Sequence, residues 1–319
     1  MSTLEQKNQG VHKKFYILTR DDGTQVGVLH ANDKEGIRDF KRETTLQARA
    51  SNNLKEMISP QVQFEEIEGD LEECMRLLNE ENHEKIAFCA LYPQSFTLDE
   101  KLSQPELHIS EGIFIIDAIM QLHIGCFKEG FTQRDNHANN ILLIDNEDTF
   151  EAKFIDLGKA RLGSKKYYTI DPEEEFTHSK DNDYLHDLKY LCLKKDHRFG
   201  DTLSRSIRSR TGYNQSKMAK HYPIHRLLDK LESSDKCKSS SYFQEQMKVI
   251  LDQANSRVLS NSRYREQFAN EMQDVWSTTL DMIEEILLEA QQQRGHPAMP
   301  FLELNDDDSS QSRSIEIEH

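Results

Sequence analysis

Cysteine is scarce in this sequence and shows no paired arrangement. The 319 residues contain five cysteines, an odd number without any Cys-x-x-Cys pair, at Cys74, Cys89, Cys126, Cys192 and Cys237. A disulfide-stapled secreted domain needs an even, regularly spaced set, and a structural zinc site needs closely spaced Cys or His pairs. The pattern argues against both classes and predicts reduced thiols in a cytoplasmic compartment.

Positive charge is also in deficit. The chain carries 40 Lys and Arg against 56 Asp and Glu, a formal net charge of -16. Nucleic-acid binding needs a basic face, so the sequence predicts no nucleic-acid partner. No apolar run reaches the roughly 18 residues that a membrane-spanning helix needs. The residues after Met1 contain no apolar secretory core. We therefore expect a cytoplasmic protein with no transmembrane segment.

The predicted elements change in character along the chain. Residues 1–10 are polar, and we expect a flexible N-terminus there. Residues 11–91 are rich in strand patterns, with a hairpin turn at Asp21-Asp-Gly-Thr24 and one long helix predicted over 33–58. Residues 92–292 are mainly helical, and the acidic residues 293–319 are predicted to be a disordered tail. This order predicts an α+β fold with a small strand-rich unit and a larger helical unit.

Three chemistry-bearing residues lie close together in the sequence. Asp135 precedes Asn140 by five positions, and Asp156 follows after a short apolar strand and a turn. Phosphoryl transfer needs one carboxylate near the attacking hydroxyl and oxygen ligands for the magnesium ion on the phosphates. Two adjacent loops supply all three groups here. The alternative is an Asx-rich loop whose acidic residues only shape turns.

The run Gln133-Arg-Asp-x-x-x-x-Asn140, followed by Asp156-Leu-Gly158, resembles two loops of protein kinases. In that family the catalytic loop is His-Arg-Asp-x-x-x-x-Asn and the metal-binding loop is Asp-Phe-Gly. The departures are Gln133 for His and Leu157 for Phe, and neither replaces a group that touches phosphate or metal. The resemblance implies a bilobal kinase-like fold, with a small β-rich lobe over 11–91 and a larger helical lobe over 92–292.

The resemblance also implies ATP and Mg²⁺ as cofactors and assigns the motif residues their roles. Asp135 is expected to orient the substrate hydroxyl and accept its proton, while Asn140 and Asp156 hold Mg²⁺ between the phosphates. Leu91 and Tyr92 fall where the family has the hinge that binds adenine through backbone hydrogen bonds.

The lysine that protein kinases use to bind the α- and β-phosphates is absent from its usual place. Val26-Gly-Val-Leu29 matches the family's Val-Ala-Ile-Lys except at the lysine. Gly10-Val-His-Lys-Lys-Phe-Tyr16 resembles the glycine-loop segment of the with-no-lysine kinases, in which a lysine of the second strand reaches the phosphates. Lys13 occupies the position of that lysine, and Glu43 is the candidate for its glutamate partner.

This resemblance predicts that Lys13 neutralises phosphate charge and pairs with Glu43. Lys14, its neighbour, and Gly10, the only glycine left of the loop pattern, are predicted to be further nucleotide contacts. Another cation, such as Arg20 or Lys34, is an alternative source of the charge. A pseudokinase without catalytic activity is a further alternative.

The region after Gly158 differs from that of eukaryotic protein kinases. The expected activation segment, residues 159–180, has no Ala-Pro-Glu equivalent. In this respect, and in its small upper lobe and acidic tail, the chain resembles secreted bacterial effector kinases that act in a host cell. The resemblance implies transfer of the γ-phosphate of ATP to Ser or Thr of a host protein, and secretion without a classical signal peptide. Asp187 falls where many kinases carry an aspartate that ties the catalytic-loop backbone; the alternative is an ordinary helix-surface acid.

Other functions remain open from the sequence. The basic run 205–220 contains Arg205, Arg208, Arg210, Lys217 and Lys220. It could bind an acidic or phosphorylated ligand, or it could be a solvated helix face. In the first case the protein would suit a lipid, inositol or small-molecule acceptor on the same fold. A pseudokinase binding module and a kinase fold that transfers AMP are the remaining alternatives.

Overall fold

The computed structural model describes residues 2–9, 12–59, 61–62, 68–102, 109–146, 149–163, 184–185, 187–188 and 239–293. Strands dominate the N-terminal part of these residues and long helices the later part, so the protein is an α+β protein, as the sequence predicts. Some predictions concern residues outside this set: Gly10, residues 164–180 of the expected activation segment, the basic run 205–220 and the tail from 294 onwards.

Five antiparallel strands form the sheet of the N-terminal part. They are β1 (Thr3–Gln9), β2 (Lys13–Thr19), β3 (Gln25–Ala31), β4 (Gln61–Val62) and β5 (Ile86–Cys89), in the spatial order β1-β2-β3-β5-β4. The flexible N-terminus predicted for residues 1–10 is wrong over 3–9, because Thr3 pairs with Thr19 and Gln9 with Lys14 along β2. Polar residues are tolerated there because an edge strand needs backbone pairing on one side only.

Three helices accompany this sheet. Helix α1 (Lys34–Arg49) begins at Asp33, whose side chain accepts a hydrogen bond from Gly36 N at 3.0 Å. Helix α2 (Asn52–Met57) begins at Ser51, whose Oγ accepts one from Leu54 N at 3.1 Å. The single helix predicted over 33–58 is therefore two helices, because Ser51 provides a second N-cap after an extended residue. Helix α3 (Glu68–Leu78) follows β4.

The sheet is apolar on both faces because side chains alternate along each strand. One face packs against α3 through Tyr16, Leu18, Val28, Ile86, Phe88 and Cys74. The other face packs against α1, where Leu29 and Ala31 of β3 meet Ile37 and Phe40. The residues that form the site described below lie at the end of this second face.

The later part of the chain contains short strands and long helices. They are β6 (Ser95–Thr97), α4 (Leu98–Leu102), α5 (Ile109–Lys128), β7 (Phe131–Thr132), β8 (Ile141–Asp145), β9 (Phe150–Phe154), β10 (Arg161–Leu162), α6 (Ser239–Asn255) and α7 (Ser262–Gln293). The strands form a three-stranded sheet, β6-β8-β9, and a β7-β10 pair.

Helix α5 lies at the centre of the large core of this part, in contact with α7, α2 and β9. The single tryptophan of the chain, Trp276 of α7, is fully buried there, and its indole N–H donates to Asp117 Oδ1 of α5 at 2.7 Å. Helix α1 also reaches this core through Leu46. None of the described helices is both long and apolar enough to cross a membrane.

Candidate active site

Lys13 reaches the site from the face of β2 that packs against α1. It pairs with Ala31, and Phe15 pairs with Leu29, so all four residues share one face of the sheet. Leu29 itself packs against the apolar residues of α1. Lys14 pairs with His30, and strand alternation directs its side chain to the opposite face. The structure therefore brings Lys13 into the site and leaves Lys14 outside it.

The ammonium group of Lys13 lies among three carboxylates. Lys13 Nζ is 2.7 Å from Glu43 Oε1, 2.6 Å from Asp156 Oδ1 and 3.9 Å from Asp39 Oδ2. The Lys13 side chain is 11% exposed and that of Glu43 is 3% exposed. The predicted pairing of Lys13 with Glu43 is present as a direct contact, and the same ammonium group joins both residues to the loop of Asp156.

Burial and charge together set the protonation of this cluster. Burial alone would lower the pKa of Lys13, but the charges and hydrogen bonds of Glu43 and Asp156 outweigh it and raise that pKa. Burial raises the pKa of Glu43 to about 7, although the charge of Lys13 opposes this. Burial also raises the pKa of Asp39. The raised pKa of Lys13 favours its charged form, which is the form that can bind a phosphate group.

The loop that carries Asp135 is closed by its own hydrogen bonds. The short 3₁₀ turn Ala138–Asn140 ends the loop, and Asn140 Nδ2 donates to the carbonyl oxygen of Asp135 at 2.8 Å. Ile155 N donates to the carbonyl oxygen of Asn140 at 3.0 Å, which joins this loop to the chain just before Asp156. Asn140 is buried. Its side chain therefore has a fixed orientation next to the Asp156 loop.

Gln133, which stands where the kinase motif has His, bridges the two loops. Its side-chain amide donates to the carbonyl oxygens of Ile155 and Asp156, at 3.0 Å each. Its backbone N–H donates to Asp187 Oδ2 at 2.6 Å. The predicted role of Asp187 in tying the loop backbone is confirmed by this bond. Asp156, held by Gln133, is in the left-handed region at φ +55°, a conformation that Asp tolerates better than most residues.

Asp135 lies beside one lysine and one histidine. Its Oδ2 is 2.8 Å from Lys159 Nζ and 4.0 Å from His137 Nε2. Burial lowers the pKa of His137, while the charges of Asp135 and Asp156 both raise it. Both carboxylates therefore favour the protonated form of this imidazole, against the effect of burial.

Gly158 allows α1 to approach the Asp156 loop closely. A Cβ atom at Gly158 would lie 2.6 Å from Asp39 Oδ1 and 2.8 Å from Asp39 Cβ. Asp39 is one helical turn before Glu43, so the two carboxylates project from the same side of α1. The four-residue spacing of Asp39 and Glu43 is apparent in the sequence. That Asp39 lies at the site follows only from its contact with Gly158.

The expected hinge residues, Leu91 and Tyr92, lie between β5 and β6. A Cβ atom at Gly27 of β3 would lie 3.2 Å from Leu91 Cδ2, so Leu91 lies beside the face of the sheet that carries Lys13. The carbonyl oxygen of Tyr92 accepts a hydrogen bond from Ser95 Oγ at 2.8 Å. Their predicted contact with adenine, like that of Gly10 outside the described residues, stays a prediction.

The donor set around Asp156 fits a magnesium ion that is bound together with phosphates. Within the described part of the chain, no cluster of three or more His, Cys, Asp and Glu residues has the arrangement of a metal site. Mg²⁺, however, is usually held by one or two protein oxygens plus phosphate and water. Asp156 supplies a carboxylate, and Asn140, whose NH₂ group donates to Asp135, would supply its amide oxygen.

Comparison with known proteins identifies no relative: no protein-family model and no curated protein matches the chain. The geometry of the site is therefore the basis for any function of this protein. The structure gathers the predicted residues Lys13, Glu43 and Asp156 in direct contact and links Asn140 to Asp135. The sequence did not single out Lys159, because its contact with Asp135 depends on the pairing of short strands distant in sequence.

Proposed function

We propose that the protein is an atypical kinase-like phosphotransferase that uses Mg²⁺ and ATP. The observation that carries this proposal is the position of Lys13, whose ammonium group is 2.7 Å from Glu43 and 2.6 Å from Asp156. Protein kinases need a strand lysine paired with a helix glutamate and placed next to the metal-binding aspartate. In this proposal the lysine comes from β2 instead of β3, as in the with-no-lysine kinases that the segment resembles.

The contacts between the two loops support the same function. Phosphoryl transfer involves little covalent chemistry by the protein, so catalysis depends on positioning and on electrostatic stabilisation. The Gln133 side chain joins the Asp135 loop to the carbonyl oxygens of Ile155 and Asp156, and Asp187 holds the backbone N–H of Gln133 in place. Such a clamp is what a site needs in order to keep a base and a metal ligand in fixed relative positions.

Each residue then has a role that follows from its chemistry. Asp135 orients the acceptor hydroxyl and takes its proton, and Asn140 and Asp156 would hold Mg²⁺. Lys13, positioned by Glu43, binds phosphate oxygens. Bound Mg·ATP supplies the phosphoryl group and the divalent charge that neutralises the phosphates. By the resemblance to secreted effector kinases, the proposed acceptor is Ser or Thr of a host protein.

The test is incubation of the full chain with Mg²⁺ and γ-labelled ATP, with a protein mixture and phosphoinositide vesicles as separate acceptors. We expect label on protein Ser or Thr. Asp135→Ala should lower the rate by about 10²–10⁴-fold, the usual contribution of a general base, and Asp156→Ala should abolish transfer. Asp252→Ala, which removes an exposed carboxylate from α6, is the matched control.

Four results would contradict the proposal in different ways. Full turnover by Asp135→Ala would remove the assigned base. Label on vesicles alone would replace the protein acceptor by a lipid. Label transferred from α-labelled ATP, but not from γ-labelled ATP, would indicate AMP transfer. Binding of Mg·ATP without any transfer to an acceptor would indicate a pseudokinase.

A further inference from the structure

Lys159 holds a positive charge beside the proposed base. Its Nζ is 2.8 Å from Asp135 Oδ2. The Lys159 side chain is 62% exposed and the Asp135 side chain is 35% exposed. Ion pairs this exposed contribute little to stability, because solvent screens them and ordering the lysine costs entropy. The contact therefore needs an explanation other than stability.

The backbone brings Lys159 to this place. Strands β7 and β10 pair with Thr132 opposite Arg161. Lys159 lies two residues before Arg161 and Asp135 lies three residues after Thr132, so this antiparallel pairing brings both residues to the same end of the strand pair. The 3₁₀ turn Leu157–Lys159 is closed by a hydrogen bond from Ala160 N to the carbonyl oxygen of Leu157 at 3.0 Å. Leu157 is buried in the large core, so the base of the Lys159 side chain is anchored while its end reaches solvent.

Among the described residues, a second side chain that can carry positive charge beside Asp135 is that of His137, with Nε2 4.0 Å from Asp135 Oδ2. Burial lowers the pKa of His137, which favours its neutral form. Lys13 is engaged with Glu43 and Asp156 on the other side of the site. Lys159 is thus positioned to supply positive charge on the Asp135 side, where the proposed transfer takes place.

We infer that Lys159 is a second catalytic cation, which binds the γ-phosphoryl oxygens during transfer while Lys13 binds the remaining phosphates. This inference rests on the proposed function. The acceptor hydroxyl forms the new bond to the γ-phosphorus, and its proton goes to Asp135. The bond from the γ-phosphorus to the bridging oxygen breaks, and that oxygen leaves with the electron pair as part of ADP. Charge develops on the oxygens of the transferred group, which is where a lysine gives most stabilisation.

The exposed ion pair then acts as a resting position for the lysine. Lys159 can exchange the Asp135 carboxylate for phosphate oxygens at low cost, since both partners are anionic and the pair contributes little by itself. The exchange also frees the Asp135 carboxylate to accept the hydroxyl of the acceptor. Nucleotides that lack a γ-phosphate have no γ-phosphate oxygens to replace Asp135 as the partner of Lys159.

The inference predicts a difference between ATP and ADP that can be measured without turnover. We expect Lys159→Met to reduce the preference for Mg·ATP over Mg·ADP by about tenfold in calorimetric titration, the size of one charged hydrogen bond, and to leave ADP affinity unchanged. In labelled-ATP assays, kcat should fall about 100-fold, and Lys159→Arg should recover part of it. Lys248→Met removes an exposed lysine from α6 and serves as the control.

Equal loss of ATP and ADP affinity would overturn the inference, because it would indicate a structural role. Unchanged ATP preference together with wild-type kcat would also overturn it. If the wild-type chain transfers no phosphate, the proposed function fails, and the ATP-to-ADP comparison still decides whether Lys159 recognises the γ-phosphate. The two failures are therefore distinguishable.

Discussion

At the level of single residues, Lys13 provides a positive charge that Leu29, on the neighbouring strand, cannot provide. The two residues lie on the same face of neighbouring strands, and both are next to α1. A lysine is a point charge on a flexible stem, so an adjacent strand can deliver it to nearly the same place. The proposed phosphate-binding role of Lys13 on β2 is therefore compatible with an unchanged position of Glu43.

This placement predicts that a lysine at position 29 of β3 can partly replace Lys13. We expect Lys13→Met to weaken Mg·ATP binding and lower turnover by at least about 100-fold, since it removes a charged contact to phosphate. The double variant Lys13→Met/Leu29→Lys should recover part of both. The measurement is ATP affinity and kcat for each variant, at matched protein stability.

Lys14→Met is the control for this experiment, because the side chain of Lys14 faces the other side of the sheet. It should behave like the wild-type chain. If Lys14→Met abolishes ATP binding while Lys13→Met does not, the assignment of the phosphate-binding lysine is wrong.

At the level of elements, the contact of α1 with the turn Leu157–Lys159 decides whether the cluster forms. Glu43 and Asp39 come from α1, and Asp156 comes from the residue just before the turn. The two elements approach closely because Gly158 has no side chain. Any increase in their separation would stretch the bonds between Lys13 and its two main partners.

Gly158→Ala is expected to disturb this contact. Its Cβ would lie 2.6 Å from Asp39 Oδ1, so the helix or the turn must shift, at a cost of about 1–3 kcal/mol for overpacking. ATP affinity should fall together with the free energy of unfolding. Adding Asp39→Ala removes the atoms that meet the new methyl group, apart from Asp39 Cβ, and should recover part of the loss.

A double-mutant cycle on urea unfolding and ATP binding measures this coupling. Strictly additive effects of Gly158→Ala and Asp39→Ala would show that the two positions are not energetically coupled. In that case, the close approach of α1 would not depend on the glycine.

At the level of the whole molecule, α1 belongs to both halves of the fold. Phe40 packs on the sheet, and Leu46 packs in the large helical core that contains Trp276. A ligand that holds α1 through Lys13 and Glu43 therefore acts on an element shared by both cores. The single tryptophan is buried against α5, so its fluorescence follows the unfolding of the helical core.

We therefore predict that Mg·ATP stabilises the helical core as well as the sheet. At a ligand concentration about 100 times its Kd, the free energy of unfolding followed by Trp276 fluorescence should rise by about 2.7 kcal/mol. Asp156→Ala should lose the part of this gain that depends on Mg²⁺. A Trp276 transition that stays fixed while ATP binds would show that the sheet and the helical core unfold independently.

Most of the strands and helices, and the local motif around Asp135, Asn140 and Asp156, could be predicted from the sequence alone. Both are local properties: side-chain periodicity sets the elements, and the spacing of polar residues sets the loops. The resemblance to kinase motifs also indicated Lys13 and Glu43 as partners. The contact of the two is now observed, while their catalytic roles remain a proposal.

Only the tertiary structure decided the remaining features, because each depends on a partner distant in the chain. The polar residues 3–9 form a strand because β2 offers its edge. Lys159 meets Asp135 because β7 and β10 pair, and Asp39 lies beside Gly158 because α1 docks on that turn. Local propensity is too weak to specify such pairings, and the free energy of packing selects them only once the whole core has formed.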